Sequence, residues 1–143
     1  MAEPRLLIVE ARFYGEVADA LYDGAAAALD KAGASHERID VPGAFEIPGV
    51  IAAAADSDRY DGFVALGCVI RGETSHYDYI CQETARALMD LSLIGVPLGN
   101  GILTVESMSQ AMERAMPDRK NKGADAANAA LRMIELKAKF EDE

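Results

Sequence analysis

A chain of 143 residues is long enough to fold as one domain, 1–143, and to bury most of its apolar surface unaided. Half of it is hydrophobic and 27% is charged, a globular balance that excludes wholesale disorder, and no apolar run reaches the roughly 18 residues that cross a bilayer. The formal net charge of −10 argues against nucleic acid or an anionic membrane as partner, although a local basic pocket for one phosphate remains compatible with it.

Residues 1–5, Met-Ala-Glu-Pro-Arg, lack the basic-then-apolar order of a secretory leader, so the cytoplasm is the expected location. The run Leu-Leu-Ile-Val at 6–9 predicts a strand buried on both faces of a parallel sheet. Val17, Ala20, Leu21, Gly24 and Ala28 then recur at helical spacing, and Gly33 stands where a helix C-terminal glycine belongs. A second strand is expected over 35–41, halted by Pro42 and Gly43, and a helix from about Ile47 through the alanines at 52–55. The turn 60–62 leads to a third strand at 63–66, and a turn over 67–76 leads to a long helix. That helix carries Tyr77, Ile80, Ala87, Leu88 and Leu91 on one face and ends at Gly95 to Pro97. A fourth strand follows at 98–104, then a helix over 107–115 stopped by Pro117. A last helix runs from 122 to about 140, striped by Ala127, Ala130, Leu131, Ile134 and Ala138. This alternation predicts an α/β fold, a parallel sheet covered by helices on both faces, with ligands at the carboxyl ends of its strands.

Four strand ends therefore carry the candidate chemistry. Phe13 and Tyr14 follow the first strand; a strand-end aromatic either stacks on a flat heterocycle or caps the core. The rigid segment 41–48, with prolines at 42 and 48, can present Ala44, Phe45 and the Glu46 carboxylate in fixed directions. Glu46 either receives donors from a polar ligand or is a helix-start residue favoured by the dipole. In the turn 67–76, Gly67 and Gly72 permit tight backbone, and the peptide groups from Cys68 through Val69 and Ile70 to Thr74 can line a ligand edge. Gly72, Glu73, Thr74 and Ser75 open a helix whose N–H groups favour an anion, and His76 adds an imidazole of the kind that exchanges protons near neutrality. The competing reading is plain capping by Thr74 and Ser75. After the fourth strand, Arg114 offers a guanidinium fork suited to phosphate and Lys122 a second cation, each also readable as a solvated charge.

Cys68 and Cys81 lie 13 positions apart in apolar surroundings and read as free thiols. With His76 between them they have neither the C-x-x-C form nor a fourth ligand, so no metal is expected. The segment 99–104, Gly-Asn-Gly-Ile-Leu-Thr, lacks the third glycine of a dinucleotide fingerprint and sits within a strand.

Taken together, A-R-F (11–13), V-P-G-A-F-E-I-P (41–48), L-G-C-V-I-R-G-E-T-S-H-Y-D-Y-I (66–80), G-I-L-T (101–104), Q-A-x-x-R (110–114) and N-K-G (121–123) resemble the lumazine synthase family. The resemblance implies a flavodoxin-like αβα sandwich with a four-stranded parallel sheet, assembled into pentamers. It implies condensation of 5-amino-6-(ribitylamino)uracil with 3,4-dihydroxy-2-butanone 4-phosphate to 6,7-dimethyl-8-ribityllumazine, with phosphate released and no metal or organic cofactor. By the same resemblance, Phe13 stacks on the pyrimidine, Ala44 to Glu46 hold the ring and ribityl chain, and Cys68 to Ile70 contact the uracil edge. Glu73, Thr74 and Arg114 receive the phosphate, His76 transfers protons, and Lys122 is a nearby cation. The site is implied to lie between adjacent subunits.

The chain departs from the family at several positions. Tyr14 stands where members often carry Asn, and Asn100, a further substrate-binding candidate, where many place an aromatic over the ring. The stretch 116–120 replaces a glycine-containing one found in members that build sixty-subunit shells, and few residues precede the first strand. A plain homopentamer is therefore expected over a shell.

Overall fold

The computed structural model describes residues 3–72 and 75–141. Its strands are β1 (Arg5–Ala11), β2 (Ser35–Val41), β3 (Gly62–Ile70) and β4 (Leu98–Val105), paired in the order β2-β1-β3-β4 with every pair parallel. The helices are α1 (Gly15–Lys31), α2 (Ile47–Asp56), α3 (His76–Leu93), α4 (Met108–Ala115) and α5 (Lys122–Glu141), and a 3-10 turn, Ala44–Glu46, precedes α2. This is the parallel sheet covered on both faces that the alternation of strands and helices predicts, and the flavodoxin-like three-layer sandwich that the resemblance implies. No helix among the described residues is long and apolar enough to cross a membrane.

Strand pleating divides the core in two. Leu6 and Ile8 of β1 and Val64 and Leu66 of β3 pack with α1, α4 and α5. Their neighbours Leu7, Val9, Phe63 and Ala65 pack with Ile47 and Ile51 of α2 and Leu88 of α3. Both central strands are thus buried on both faces, which is why they read as uninterrupted apolar runs. Each fully buried large aliphatic or aromatic side chain contributes about 1.5–3 kcal/mol. β2 is different: it is a sheet edge, its burial falls to partial at best, and it carries charges at 37, 38 and 40.

Glycine decides the geometry at two places. Gly33, at φ 75°, takes the left-handed conformation just beyond α1, and Ala34 N–H closes the helix end onto the Leu29 carbonyl at 3.0 Å. Gly99 in β4 lies directly beneath α5, where an added Cβ would fall 1.8 Å from the Ala126 carbonyl oxygen. The segment 99–104 is therefore a strand under a helix, and its glycines serve packing.

One expected boundary is corrected. Residues 67–70 belong to β3, because the ladder to β4 continues from Gly67↔Ile102 to Ile70↔Val105, and Arg71 N–H donates to the Val105 carbonyl at 2.9 Å. Only residues 71–75 connect β3 to α3. Pairing with β1 stops earlier, at Glu10↔Leu66, so beyond that point β3 has lost its neighbour on the β1 side. That unpaired edge is where backbone N–H and C=O groups become available to a ligand.

Candidate active site

In an open parallel sheet the ligand crevice forms where successive connections leave in opposite directions, here between β1 and β3. A cleft of about 670 Å³ lies there. Phe13 and Tyr14 reach it from the end of β1, and Gly43, Ala44, Phe45 and Glu46 from the end of β2. Cys68, Val69 and Ile70 line it from the end of β3, and His76, Tyr79 and Ile80 from the first turns of α3. Eight expected site residues thus meet in one place: Phe13, Ala44, Phe45, Glu46, Cys68, Val69, Ile70 and His76.

The geometry separates the competing readings of several of them. The Phe13 ring is 77% exposed, so it does not cap the core; Tyr14 meets it edge-on, with centroids 4.9 Å apart and planes at 80°. A ring exposed in this way can stack on a flat heterocycle. Glu46 stands at the N-terminus of α2, the helix-start position of its second reading, and its exposed carboxylate also borders the cleft, so the two readings are compatible. Ser75 likewise makes no side-chain cap at the start of α3, which opens on the exposed His76. Gly72 has open space where a side chain would stand and no positive φ, so the backbone freedom expected of it is not used. Glu73 and Thr74 lie outside the described residues.

Burial pushes the Cys68 thiol up to about 11, from an ordinary value of 9.0. Thiolate is the reactive form, so Cys68 acts in the cleft as a neutral apolar wall. At pH 8, where both values exceed the pH, we expect Cys68 to react with a disulfide reagent about a hundredfold more slowly than a free thiol. Equal rates for Cys68 in the native and urea-unfolded Cys81→Ala chain would contradict this.

Four expected residues, Gly72, Asn100, Arg114 and Lys122, do not line the cleft within one chain. Asn100 stands exposed on the β4 edge, where its Oδ1 accepts from Ile102 N–H at 2.9 Å. Arg114 and Lys122 belong to the α4–α5 layer on the other face of the sheet from α2 and α3. There the Arg114 guanidinium donates to the Gln110 carbonyl at 3.1 Å, and the Lys122 ammonium lies 3.5 Å from Asp125. Gly43, Tyr79 and Ile80 also line the cleft; the sequence places Gly43 only at the stop of the second strand and Ile80 only on the apolar face of the long helix. Tyr79 and Ile80 follow His76 by three and four positions, the helical spacing that puts them on its side of α3, and that periodicity was the available signal. Arg71 pairs with Asp78 at 3.3 Å and Glu106 at 3.0 Å and lies over the Tyr77 ring, pinning the short connection to α3.

Fold and cleft together define a flavodoxin-like α/β protein whose strand ends offer a stacking ring, an unpaired backbone edge and a helix start bearing a histidine. Such strand ends can hold a flat, polar ring beside a group that gives or takes a proton. A family model described as 6,7-dimethyl-8-ribityllumazine synthase matches residues 3–138, and the chain belongs to that family. Its sequence is 59% identical to the 6,7-dimethyl-8-ribityllumazine synthase of Agrobacterium fabrum, covering 98% of this chain and 99% of that relative. It is 56% identical to the enzyme of that name from Sphingopyxis alaskensis, over 94% of this chain and 96% of the relative. For the enzyme of Bartonella tribocorum the identity is 57%, over 98% and 94%. The chain is accordingly a transferase of riboflavin biosynthesis. It condenses 5-amino-6-(D-ribitylamino)uracil with 3,4-dihydroxy-2-butanone 4-phosphate to 6,7-dimethyl-8-ribityllumazine, releasing phosphate.

Proposed function

We propose that this condensation takes place in the cleft at the β1 and β3 ends, in a site completed by a neighbouring copy of the chain. The observation that carries the reading is the gathering of a stacking ring, an unpaired strand edge and His76 in one cleft, with Arg114 and Lys122 displaced to the opposite layer. Phe13 stacks on the pyrimidine, and residues 68–70 read its edge with backbone groups. Ala44 to Glu46 hold the ribityl chain, Glu46 accepting from its hydroxyls. Gly72, Glu73 and Thr74, ahead of α3, seat the phosphate together with Arg114 of the neighbour, Lys122 stands near it as a second cation, and Asn100 reaches the ring from the β4 edge.

The reaction needs little beyond this. The pyrimidine amine forms an imine with the ketone and expels water, phosphate leaves by elimination, and the second amine closes the ring onto the carbonyl so formed with loss of a second water. Holding two reactants side by side supplies much of such a rate gain, and His76 moves protons between the steps. No metal or organic cofactor enters the proposal.

Exposed apolar side chains support the assembly. Phe45, Tyr79, Met89, Leu93 and Ile94 all belong to the 3-10 turn or to α3 and its end, and all are more than half exposed. So large an uncovered apolar face on one layer suits a second copy. We take the assembly to be a homopentamer in the cytoplasm, a sixty-subunit shell being the alternative that mass photometry separates at once.

Incubation with both substrates, following lumazine absorbance and phosphate together, tests the reading; product no faster than the uncatalysed reaction would overturn it. Within the site, His76→Ala is expected to lower kcat by about a hundredfold, the lower range for a general acid–base group, while the KM values hold. Unchanged kcat would remove His76 from the chemistry.

A further inference from the structure

Glu10 is the one charged side chain that is fully buried among the described residues, at 1% exposure, and it touches no part of the cleft. An isolated carboxylate in such a place costs several kcal/mol, so it persists only with partners. Two arginines supply them. Arg38 of β2 grips it with both prongs of its fork, Nε to Oε2 at 2.7 Å and Nη2 to Oε1 at 3.0 Å, and Arg12 donates from Nη1 to Oε1 at 2.8 Å. Arg12 also pairs with Asp19 of α1, and the Arg38 guanidinium lies 3.4 Å from the centre of the Tyr22 ring on the same helix. The buried carboxylate therefore locks the end of β1 to β2 and to α1 at once.

Arg12 immediately precedes Phe13. We propose that Glu10 is a positioning residue: through Arg12 it fixes the backbone from which Phe13 presents its ring to the cleft. This rests on the assignment of Phe13 to the pyrimidine made above. Stability alone gives a weak reason for the arrangement, because buried ion pairs are often no more stabilising than apolar residues of similar size. Direction is what such a clamp adds: the guanidinium of Arg12 is held by two carboxylates, Nη1 by Glu10 and Nη2 by Asp19.

The test is kinetic, on the assembled enzyme. Glu10→Gln keeps size and shape while weakening both arginine contacts. It is expected to raise the KM for the pyrimidine about tenfold and to leave the KM for the butanone phosphate within about twofold, since misplacement of one reactant is penalised through its own binding. Combined with Phe13→Ala, the Glu10→Gln effect on the pyrimidine KM should vanish, because two changes acting through one ring do not add. Arg12→Met, which leaves Glu10 paired with Arg38, should reproduce the pattern and serves if Glu10→Gln does not fold. Equal rises for both substrates, or a full Glu10→Gln effect persisting in the Phe13→Ala background, would overturn the proposal while leaving Phe13 in its role. A Phe13→Ala enzyme with unchanged pyrimidine KM would overturn the site assignment and this inference with it.

Discussion

Chains carrying Arg114→Ala and chains carrying Phe13→Ala are each expected to be nearly inactive at limiting substrate, yet an unfolded and co-refolded equimolar mixture should recover activity. The expectation follows from where the two side chains stand. Phe13 lines the cleft and Arg114 lies in the α4–α5 layer across the sheet, so one chain does not bring them together. If each site takes Phe13 from one subunit and Arg114 from its neighbour, random mixing in a closed ring restores both at about a quarter of the sites. The separate variants should also differ in kind. Phe13→Ala raises the KM for the pyrimidine, and Arg114→Ala chiefly that for the phosphate substrate, because a guanidinium lost from a phosphate site forfeits a charge-assisted fork. Arg114→Lys should restore only part of it, an ammonium being a point charge without the fork. A mixture no more active than its components would place both residues in a site within one subunit.

A larger loss, of the fold itself, is expected from Gly99→Val. The first carbon of any side chain at this position would lie 1.8 Å from the Ala126 carbonyl oxygen, 2.7 Å from its carbon and 3.1 Å from the Ala130 nitrogen. These are backbone atoms of α5, which cannot swing aside as a side chain would. Relief requires lifting the helix from β4, exposing Ala126 and Ala130, both now buried beside that strand. We expect a loss of at least about 4 kcal/mol, in the range reserved for severe core disruption, seen as a collapsed thermal transition or as insoluble protein. A soluble enzyme melting within a few degrees of the parent would show that α5 is far less constrained than its packing indicates.

Particular residues show how far the sequence could be read. β1 and β3 were legible because burial on both faces leaves an unbroken apolar run, and the stripes of α1 and α5 because only one face of each packs inward. The end of β3 was not. Gly67 looks like a strand breaker, but its hydrogen atom faces Ala11, whose Cβ would lie 3.3 Å from an added methyl group, and pairing with β4 carries the strand on to Ile70. Local propensity had no access to that partner, 35 positions further on. In the cleft, the strand-end rule and the motifs found the contributions of Phe13, residues 44–46 and residues 68–70. They did not find Tyr79 and Ile80, which depend on which side of α3 meets the cleft. Glu10 was invisible for a related reason. It follows an apolar run in sequence, and one of the arginines that justify its burial comes from a different strand, 28 positions away.

The exposed edge strand bears on the life of the chain before it finds its neighbours. β2 offers one side of its backbone to any passing strand, and a freshly made polypeptide meets many. Its sequence, Ser-His-Glu-Arg-Ile-Asp-Val, puts charged groups at positions 37, 38 and 40, and bringing two such strands together would crowd like charges and strip them of water. The edge thus discourages growth of the sheet from chain to chain into a fibril. A Glu37→Val, Asp40→Val double variant should form thioflavin-positive aggregates during refolding at concentrations where the parent remains clear.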